Sequence, residues 1–520
     1  MIVRASLFRR LVRAATLLGA VAVAATPAPA DDTPARSAAA VARAGATRPN
    51  VIVILADDLG WADLGCTGST FHETPCLDRL AAEGMRFTHG YAAHCYCSPT
   101  RAALLTGRDP ARLRITDYIP SNTKTGRFLP AEMAKELPLE EVTLAESLRA
   151  AGYATWHVGK WHLGRGPDFL PEHQGYDVNI AGTHSGLPPS YFWPYGNDKP
   201  ALRKAYHGFP VPGLVEGGRK GEHLCDRLTT EAIRLIDGRD PAKPFFLSLP
   251  YYDVHTPIEA KPELVAKYRA KAERLGLPAP KEAPWVAEGD PARASEARHN
   301  MERQCHPTYA AMVETLDTNV GRLLDALAER GLSGTTLVVF TSDNGGLNQH
   351  NAGTTPVTCN APLRAGKGWL YEGGVRVPWL VRLPGVVVPG GVCDVPIIST
   401  DLAPTVLDVC GLPAEPGRHL DGRSFRPLLE GRTEPIHEEL CWHFPHYGNT
   451  GSGPCGSIRS GDWKLIEWFE NDSVELFDLA ADPGERTDVA AAHPADVARL
   501  REALRRHRAA TGANMLRPKP

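Results

Sequence analysis

The 520-residue chain has no excess of either charge: 57 Lys+Arg stand against 60 Asp+Glu, a formal net charge of −3. Nothing global is left to hold a polyphosphate backbone, so nucleic acid is excluded as a partner and any anion site must be local. Beyond the N-terminal segment the sequence has no stretch of roughly 20 uninterrupted apolar residues, the length a spanning helix needs, which excludes a membrane partner for the mature chain. CxxC pairs and HExxH are absent, and with them the common zinc spacings. No internal repeat is found. The cysteines, at 66, 76, 95, 97, 225, 305, 359, 393, 410, 441 and 455, number eleven and are too sparse for a disulfide scaffold. The odd count leaves one unpaired if the rest are bridged, and bridges and buried thiols stay equally open.

What is present is ordinary globular composition, 43% hydrophobic and 22% charged, with 49 Gly and 45 Pro that imply many loops. Arg4, Arg9, Arg10 and Arg13 precede an apolar stretch from Ala14 to Ala25 and then Ala28-Pro29-Ala30. This reads as an export signal over residues 1–30 and places the protein in the periplasm or outside the cell. Arg9-Arg10 is read as the basic start of that signal rather than as a twin-arginine motif. Residues 31–48, rich in Ala, Pro, Thr and Arg, suit a disordered leader.

Asn50 to Ala56 is a continuous, largely β-branched apolar run, the pattern of a strand buried on both faces, and it ends in Asp57-Asp58. Thr143 to Ala151 has helical spacing and closes at Gly152; Tyr153 to Val158 reads as a strand ending at Gly159-Lys160. Phe245 to Leu249 is a strand leading to Asp253 and His255, and Leu337 to Thr341, after a helix over Tyr309 to Arg330, leads to Asp343-Asn344. Four strands that end in polar residues, interleaved with helices, predict an α/β fold whose strand carboxyl ends gather the site. Ser457 to Trp468 and Val474 to Leu479 predict hairpin strands, and Ala495 to Ala509 a terminal helix. The expected division is a catalytic domain over 49–440 and a smaller α+β domain over 441–520.

In Cys97-Ser98-Pro99-Thr100-Arg101, Ser98 is a plausible N-cap and Pro99 a first helical residue, which puts Cys97 at the positive end of a helix. That position lowers a thiol pKa and suits a nucleophile, with Arg101 one turn along. A buried structural cysteine beside a surface arginine fits the local pattern equally. Together with Leu104-Leu105-Thr106-Gly107, however, the segment resembles the first hallmark of the sulfatase family, and Gly152 to His162 resembles the second. The resemblance extends to Asp57-Asp58, Asp253 to Pro257, Ser342 to Gly345, Leu363 to Gly368 with Tyr371 to Gly374, and the tail segments Ile458 to Lys464 and Leu476 to Leu479. One departure is Cys95-Tyr96 before Cys97, where the family usually has small residues.

The resemblance implies an alkaline-phosphatase-like α/β fold with a large mixed, mostly parallel sheet flanked by helices and a smaller C-terminal α+β domain. It implies that a maturation enzyme oxidises Cys97 to formylglycine, the nucleophile. It further implies Asp57, Asp58, Asp343, Asn344 and modified Cys97 as ligands of Ca²⁺, Mg²⁺ being the less fitting ion, and Arg101, Lys160 and Lys367 as anion-binding cations. His162 then serves the diol, and His255 protonates the departing alcohol. Ligand chemistry agrees: Asp and Asn oxygens are hard donors, a thiolate is soft, and conversion to a diol makes every donor oxygen. Gly366-Lys367-Gly368 is not a phosphate loop, since no Ser or Thr follows the lysine.

The implied activity is hydrolysis of a sulfate ester. Phosphonate or phosphodiester hydrolysis and an inactive glycan-binding relative are the alternatives. The aromatic loop His184 to Tyr195 suggests stacking on a sugar or, equally, a core edge, and export with sugar-like aromatics favours a sulfated carbohydrate over an aryl sulfate.

Overall fold

The computed structural model describes residues 48–121, 124, 126–198, 214, 216–288, 298–350, 357–414 and 421–520. The expected signal and all of the leader but Arg48 lie outside the described residues. Strand β1 (Asn50–Ala56) is buried at every position. Its alternate side chains feed two cores: Ile52 and Ile54 join one, Val51, Val53 and Leu55 the other. A strand with both faces covered needs apolar residues at successive positions, which is why the run is continuous rather than alternating.

Around β1 lie β2 (Met85–Phe87), β3 (Ala154–Val158), β4 (Val178–Ile180), β5 (Phe245–Pro250), β6 (Thr336–Ser342), β7 (Trp379–Arg382) and β8 (Gly391–Cys393). They form one eight-stranded sheet in the order β8-β2-β7-β6-β1-β5-β3-β4. The run β6-β1-β5-β3-β4 is parallel throughout, and β7 is antiparallel to both its neighbours. Helices α1 (Pro75–Glu83), α4 (Leu224–Asp237), α5 (Pro262–Arg274) and α6 (Pro307–Glu329) cover one face. Helices α2 (Cys97–Thr106), α3 (Leu144–Ala150) and α7 (Leu402–Val409) cover the other. The helix after Thr143 is fixed locally: the Thr143 hydroxyl accepts from Glu146 N at 3.1 Å, and Glu146 Oε2 accepts from Thr143 N at 2.7 Å, a reciprocal capping box.

The four strands expected to end in the site, β6, β1, β5 and β3, are consecutive in the sheet. Because they are parallel, their carboxyl ends meet along one edge. Gly159 makes the end of β3 possible: it has φ of 127°, and a Cβ there would lie 1.9 Å from the Pro250 carbonyl oxygen, which instead accepts from Lys160 N at 2.8 Å.

The chain ends in a four-stranded antiparallel sheet, β9 (Leu440–Phe444), β10 (Cys455–Ser460), β11 (Trp463–Trp468) and β12 (Ser473–Asp478), followed by α8 (Pro494–Thr511). Period-two alternation decides its two faces. Ile458, Leu465 and Leu476 pack on Leu500 and Leu504 of α8, while Ile466, Trp468 and Phe477 pack on Tyr91, Trp369 and Tyr371 of the first domain. Lys464, on that second face, pairs at 2.9 Å with Glu372 and at 3.2 Å with Glu485, all three fully buried. Glu372 is further held by the Tyr91 hydroxyl at 2.9 Å, and its backbone N–H donates to Glu485 Oε2 at 2.6 Å. All eleven cysteines are free thiols. No helix among the described residues is long and apolar enough to cross a membrane.

Removing Lys464 would leave Glu485 without its cation and Glu372 with Arg376 at 3.6 Å, so Lys464→Ala is expected to cost about 3–5 kcal/mol in denaturant unfolding. Burial, opposed by Lys464 and reinforced by Glu372, pushes the Glu485 carboxyl from an ordinary 4.5 up to about 7. A folded value above the unfolded one means that folding takes up a proton. This contribution is full below pH 4.5 and is lost as pH rises through about 7. Unfolding at about pH 5 and about pH 8 should therefore show a fall in stability that Glu485→Gln reduces.

Candidate active site

The turn after β1 places Asp57 and Asp58 beside Asp343 and Asn344 at the end of the adjacent β6. Asp58 N donates to Asp343 Oδ1 at 3.2 Å, and Asn344 Nδ2 to Asp58 Oδ1 at 2.8 Å. All four are buried, at 2% exposure or less. Three carboxylates this close require cations. Lys160, from the end of β3, lies 2.5 Å from Asp57 Oδ2; Lys367 is 2.7 Å from Asp58 Oδ1; and Arg101 Nη2 is 2.7 Å from Asp343 Oδ2. Arg101 also donates to the Lys160 carbonyl at 3.0 Å, tying the helix residue to the strand end.

The two aspartates of the turn differ. Burial and then Asp343 push the Asp57 carboxyl up to about 8, against Lys160 and Arg101. For Asp58, burial is outweighed by Lys367, His255 and Lys160, which hold the carboxyl well below the usual range. Asp57 Oδ1 and Asn344 Oδ1 are buried with no hydrogen-bond partner. Two orphaned hard oxygens, one of them on a carboxyl raised by burial and then by Asp343, fit the donor set of a divalent cation, which would relieve both. Asp57, Asp58 and His255 each offer an atom within 4.8 Å of the others, so His255, which the sequence reading left out of the ligand group, borders the same space.

Cys97 faces the cluster at 2% exposure, with its Sγ 3.3 Å from His162 Nδ1. His162 Nε2 lies 2.5 Å from the Ile119 carbonyl oxygen. A carbonyl only accepts, so Nε2 carries the proton and Nδ1 presents a lone pair to Cys97. Burial, then Lys160 and Arg101, hold the imidazole well below its ordinary value, hence neutral. Asp58 and His162 both have positive φ, 61° and 64°, a conformation that non-glycine residues adopt at a cost.

On the opposite flank His255 Nε2 is 3.5 Å from Asp58 Oδ2, and Nδ1 is 2.8 Å from the Thr256 carbonyl. Burial and Lys367 bring His255 down to about 3. The segment is locked to β1 by a backbone exchange: Asp57 N donates to Asp253 O at 2.9 Å and Val254 N to Asp57 O at 2.8 Å.

Every residue assigned from sequence, Asp57, Asp58, Cys97, Arg101, Lys160, His162, His255, Asp343, Asn344 and Lys367, is thus brought into this one cluster. Two local readings need correction. Helix α2 begins at Cys97, with Tyr96 as an N-cap that makes no side-chain bond, so Ser98 is not the cap and Pro99 is not the first helical residue. The Ser98 hydroxyl instead donates to the His162 carbonyl at 2.9 Å and accepts from Ile119 N at 3.0 Å, holding together the two segments that fix the imidazole. The Cys97 thiol is raised, not lowered: burial outweighs Lys160 and Lys367. In the aromatic loop, Tyr191 and Tyr195 are fully buried core residues, so these two have no free face for a sugar. Cys95 packs in the core against the C-terminal sheet, where burial pushes its thiol far up.

A cluster of buried cations and hard oxygen donors on the carboxyl edge of such a sheet fits a hydrolase of the alkaline-phosphatase-like superfamily. The profile described as Sulfatase matches residues 49–412, and that described as N-sulphoglucosamine sulphohydrolase, C-terminal, matches 365–510. The chain belongs to the sulfatase family, enzymes that hydrolyse sulfuric esters. It is 35% identical to human (Homo sapiens) arylsulfatase A, covering 86% of this chain and 80% of that one, and 32% identical to a sulfatase of Formosa agariphila, covering 86% and 85%. A solved structure titled Ps i-CgsB in complex with k-i-k-neocarrahexaose superimposes with a TM-score of 0.68 at 28% identity, over 88% of this chain and 92% of that one.

Ser98→Ala should leave Ile119 N and the His162 carbonyl unpaired in a buried site. The expected cost is about 1–3 kcal/mol by denaturant unfolding, far above that of an ordinary surface serine.

Proposed function

We propose that the protein hydrolyses a sulfate ester of a carbohydrate by nucleophilic attack from position 97. The observation that carries this reading is the Cys97 Sγ to His162 Nδ1 approach of 3.3 Å, inside a cluster where three cations face three carboxylates. Sγ stands where the oxygen of the modified side chain would be. Oxidation of Cys97 to formylglycine by a maturation enzyme, as the family resemblance implies, supplies a hydrated aldehyde as nucleophile. Asp57, Asp58, Asp343, Asn344 and the residue at 97 would hold a divalent cation, calcium in preference to magnesium because the protein donors are many, and it would supply polarisation of the sulfate.

The chain's own residues do the rest. His162 Nδ1 accepts the proton released at position 97. The ammonium of Lys160, the ammonium of Lys367 and the guanidinium of Arg101 orient the sulfate and stabilise charge that builds on its oxygens, in a site that excludes water. His255, whose Nε2 lies 3.5 Å from Asp58 Oδ2, delivers a proton from Nε2 to the leaving oxygen. In the free site burial and then Lys367 keep it neutral; a bound anion would offset Lys367 and so favour the imidazolium.

Carbohydrate is favoured by two relatives: the complexed structure above bears a neocarrahexaose, and a mouse (Mus musculus) protein 32% identical to this chain is named N-acetylgalactosamine-6-sulfatase. The export signal read in residues 1–30 suits a polymer met outside the cell.

Mass spectrometry of a peptide spanning Cys97 from active protein is expected to show the aldehyde; fully active protein with only the thiol would remove the nucleophile. His255→Ala should slow hydrolysis of a sugar sulfate on the order of 10²–10⁴-fold and of an activated aryl sulfate much less, because a nitrophenolate leaves without a proton. Equal losses on both substrates, where sulfur–oxygen cleavage limits the rate, would contradict the role given to His255.

A further inference from the structure

Tyr191 is buried in the wall behind His255, and its hydroxyl is spent on a single object: the turn that carries that histidine. The phenolic O–H lies 2.5 Å from the Tyr252 carbonyl and 2.8 Å from the His255 carbonyl, bridging both ends of the turn, while His255 N donates to Tyr252 O at 3.0 Å. The ring is immobile: it is fully buried and stacks on His223, with centroids 5.3 Å apart and planes 13° from parallel. The same loop is fastened a second time. Glu259 Oε2 accepts from Tyr191 N at 2.8 Å and from Ser190 Oγ at 2.7 Å.

A buried tyrosine needs one acceptor for its hydroxyl, and here both acceptors in reach belong to the turn that carries His255. The Tyr252–His255 turn is already closed by its own backbone bond, and the apolar work of the ring does not involve the hydroxyl. The hydroxyl fixes instead where the His255 carbonyl points, and with it the Cα from which the imidazole projects toward Asp58, 3.5 Å away. Misplacing a reacting group by about 1 Å costs on the order of 10²-fold in rate, so a bond that sets this Cα bears directly on proton delivery.

We infer that Tyr191 is the positioning residue of His255: its hydroxyl, clamped between the Tyr252 and His255 carbonyls, aims the imidazole at the leaving oxygen. This rests on the reading of His255 as the proton donor. It predicts that Tyr191 matters in proportion to how badly the leaving group needs a proton.

The test compares wild type, Tyr191→Phe, His255→Ala and the double variant in the full chain, each on an alkyl or sugar sulfate and on a nitrophenyl sulfate. Tyr191→Phe keeps the ring, its stacking and its burial. It is expected to lower kcat on the poor leaving group on the order of 10-fold, with little change in KM and about twofold or less on the activated ester. In the His255→Ala background the same substitution should cost nothing further, since the hydroxyl acts through the imidazole. Equal losses on the two esters, or the same loss with and without His255, would overturn the inference and leave a structural role. If His255→Ala itself shows no dependence on the leaving group, the proton-donor reading falls first and the inference with it. Glu259→Gln, which weakens the second fastening and leaves the phenol in place, should show the same leaving-group dependence in smaller measure; a loss indifferent to the leaving group would count against the clamp.

Discussion

Three aspartates held within a few ångströms of one another, out of water, are the constraint on which the rest of this molecule depends. Like charges this close and this deeply buried cannot all ionise unaided, and the Asp57 carboxyl, raised by burial and then by Asp343, records that difficulty. Arg101, Lys160 and Lys367 answer it with one cation each, drawn from a helix, a strand end and a loop remote in sequence. The fold can be read as the device that delivers these charges to one place. Neighbouring parallel strands carry the acids, the strand two places away from β1 carries Lys160, and helix α2 is turned so that Cys97 and Arg101 face the same cluster.

The C-terminal sheet belongs to this arrangement as much as the large one does. The segment with Lys367 runs on into Glu372, and Glu372 is gripped from the C-terminal side by Lys464 and Glu485. Gly368, next to Lys367, donates its N–H to the Cys95 carbonyl at 2.9 Å, and the Tyr96 hydroxyl reaches Asn449 at 2.9 Å. The neighbours of Cys97 and of Lys367 are thus held from the same flank, so the C-terminal segment helps to set the geometry of the cluster.

Much of this was legible in the sequence, and what was not has definite reasons. The strand Asn50–Ala56, its acidic end, the helix closing at Gly152 and the hairpin strands of the tail all follow from local pattern, and the resemblance to the family's motifs marked all ten residues of the cluster. Pattern failed where the answer depended on tertiary partners. Ser98 has cap chemistry, but its hydroxyl is claimed by Ile119 and His162. Cys97 sits at a helix start, but the depth of burial exceeds what a helix end and two lysines can offset. The aromatic loop was open by composition to sugar stacking or a core edge, and only the fold decides that Tyr191 and Tyr195 turn inward to the core. Lys464 and Glu485 left no local signal: buried charges in a hairpin strand and a loop are recognisable only once their partners are known.

The central claim is that these carboxylates and cations form a seat for a divalent ion rather than a self-satisfied salt-bridge network. Thermal unfolding of chelator-stripped protein, titrated with Ca²⁺ and with Mg²⁺ alongside elemental analysis, addresses it without recourse to activity. The account predicts a rise in Tm with Ca²⁺ concentration, worth about 2.7 kcal/mol at a hundredfold excess over Kd, weaker with Mg²⁺ and absent in Asp343→Ala. An unchanged Tm at every concentration, with no calcium retained by the wild type, would contradict it.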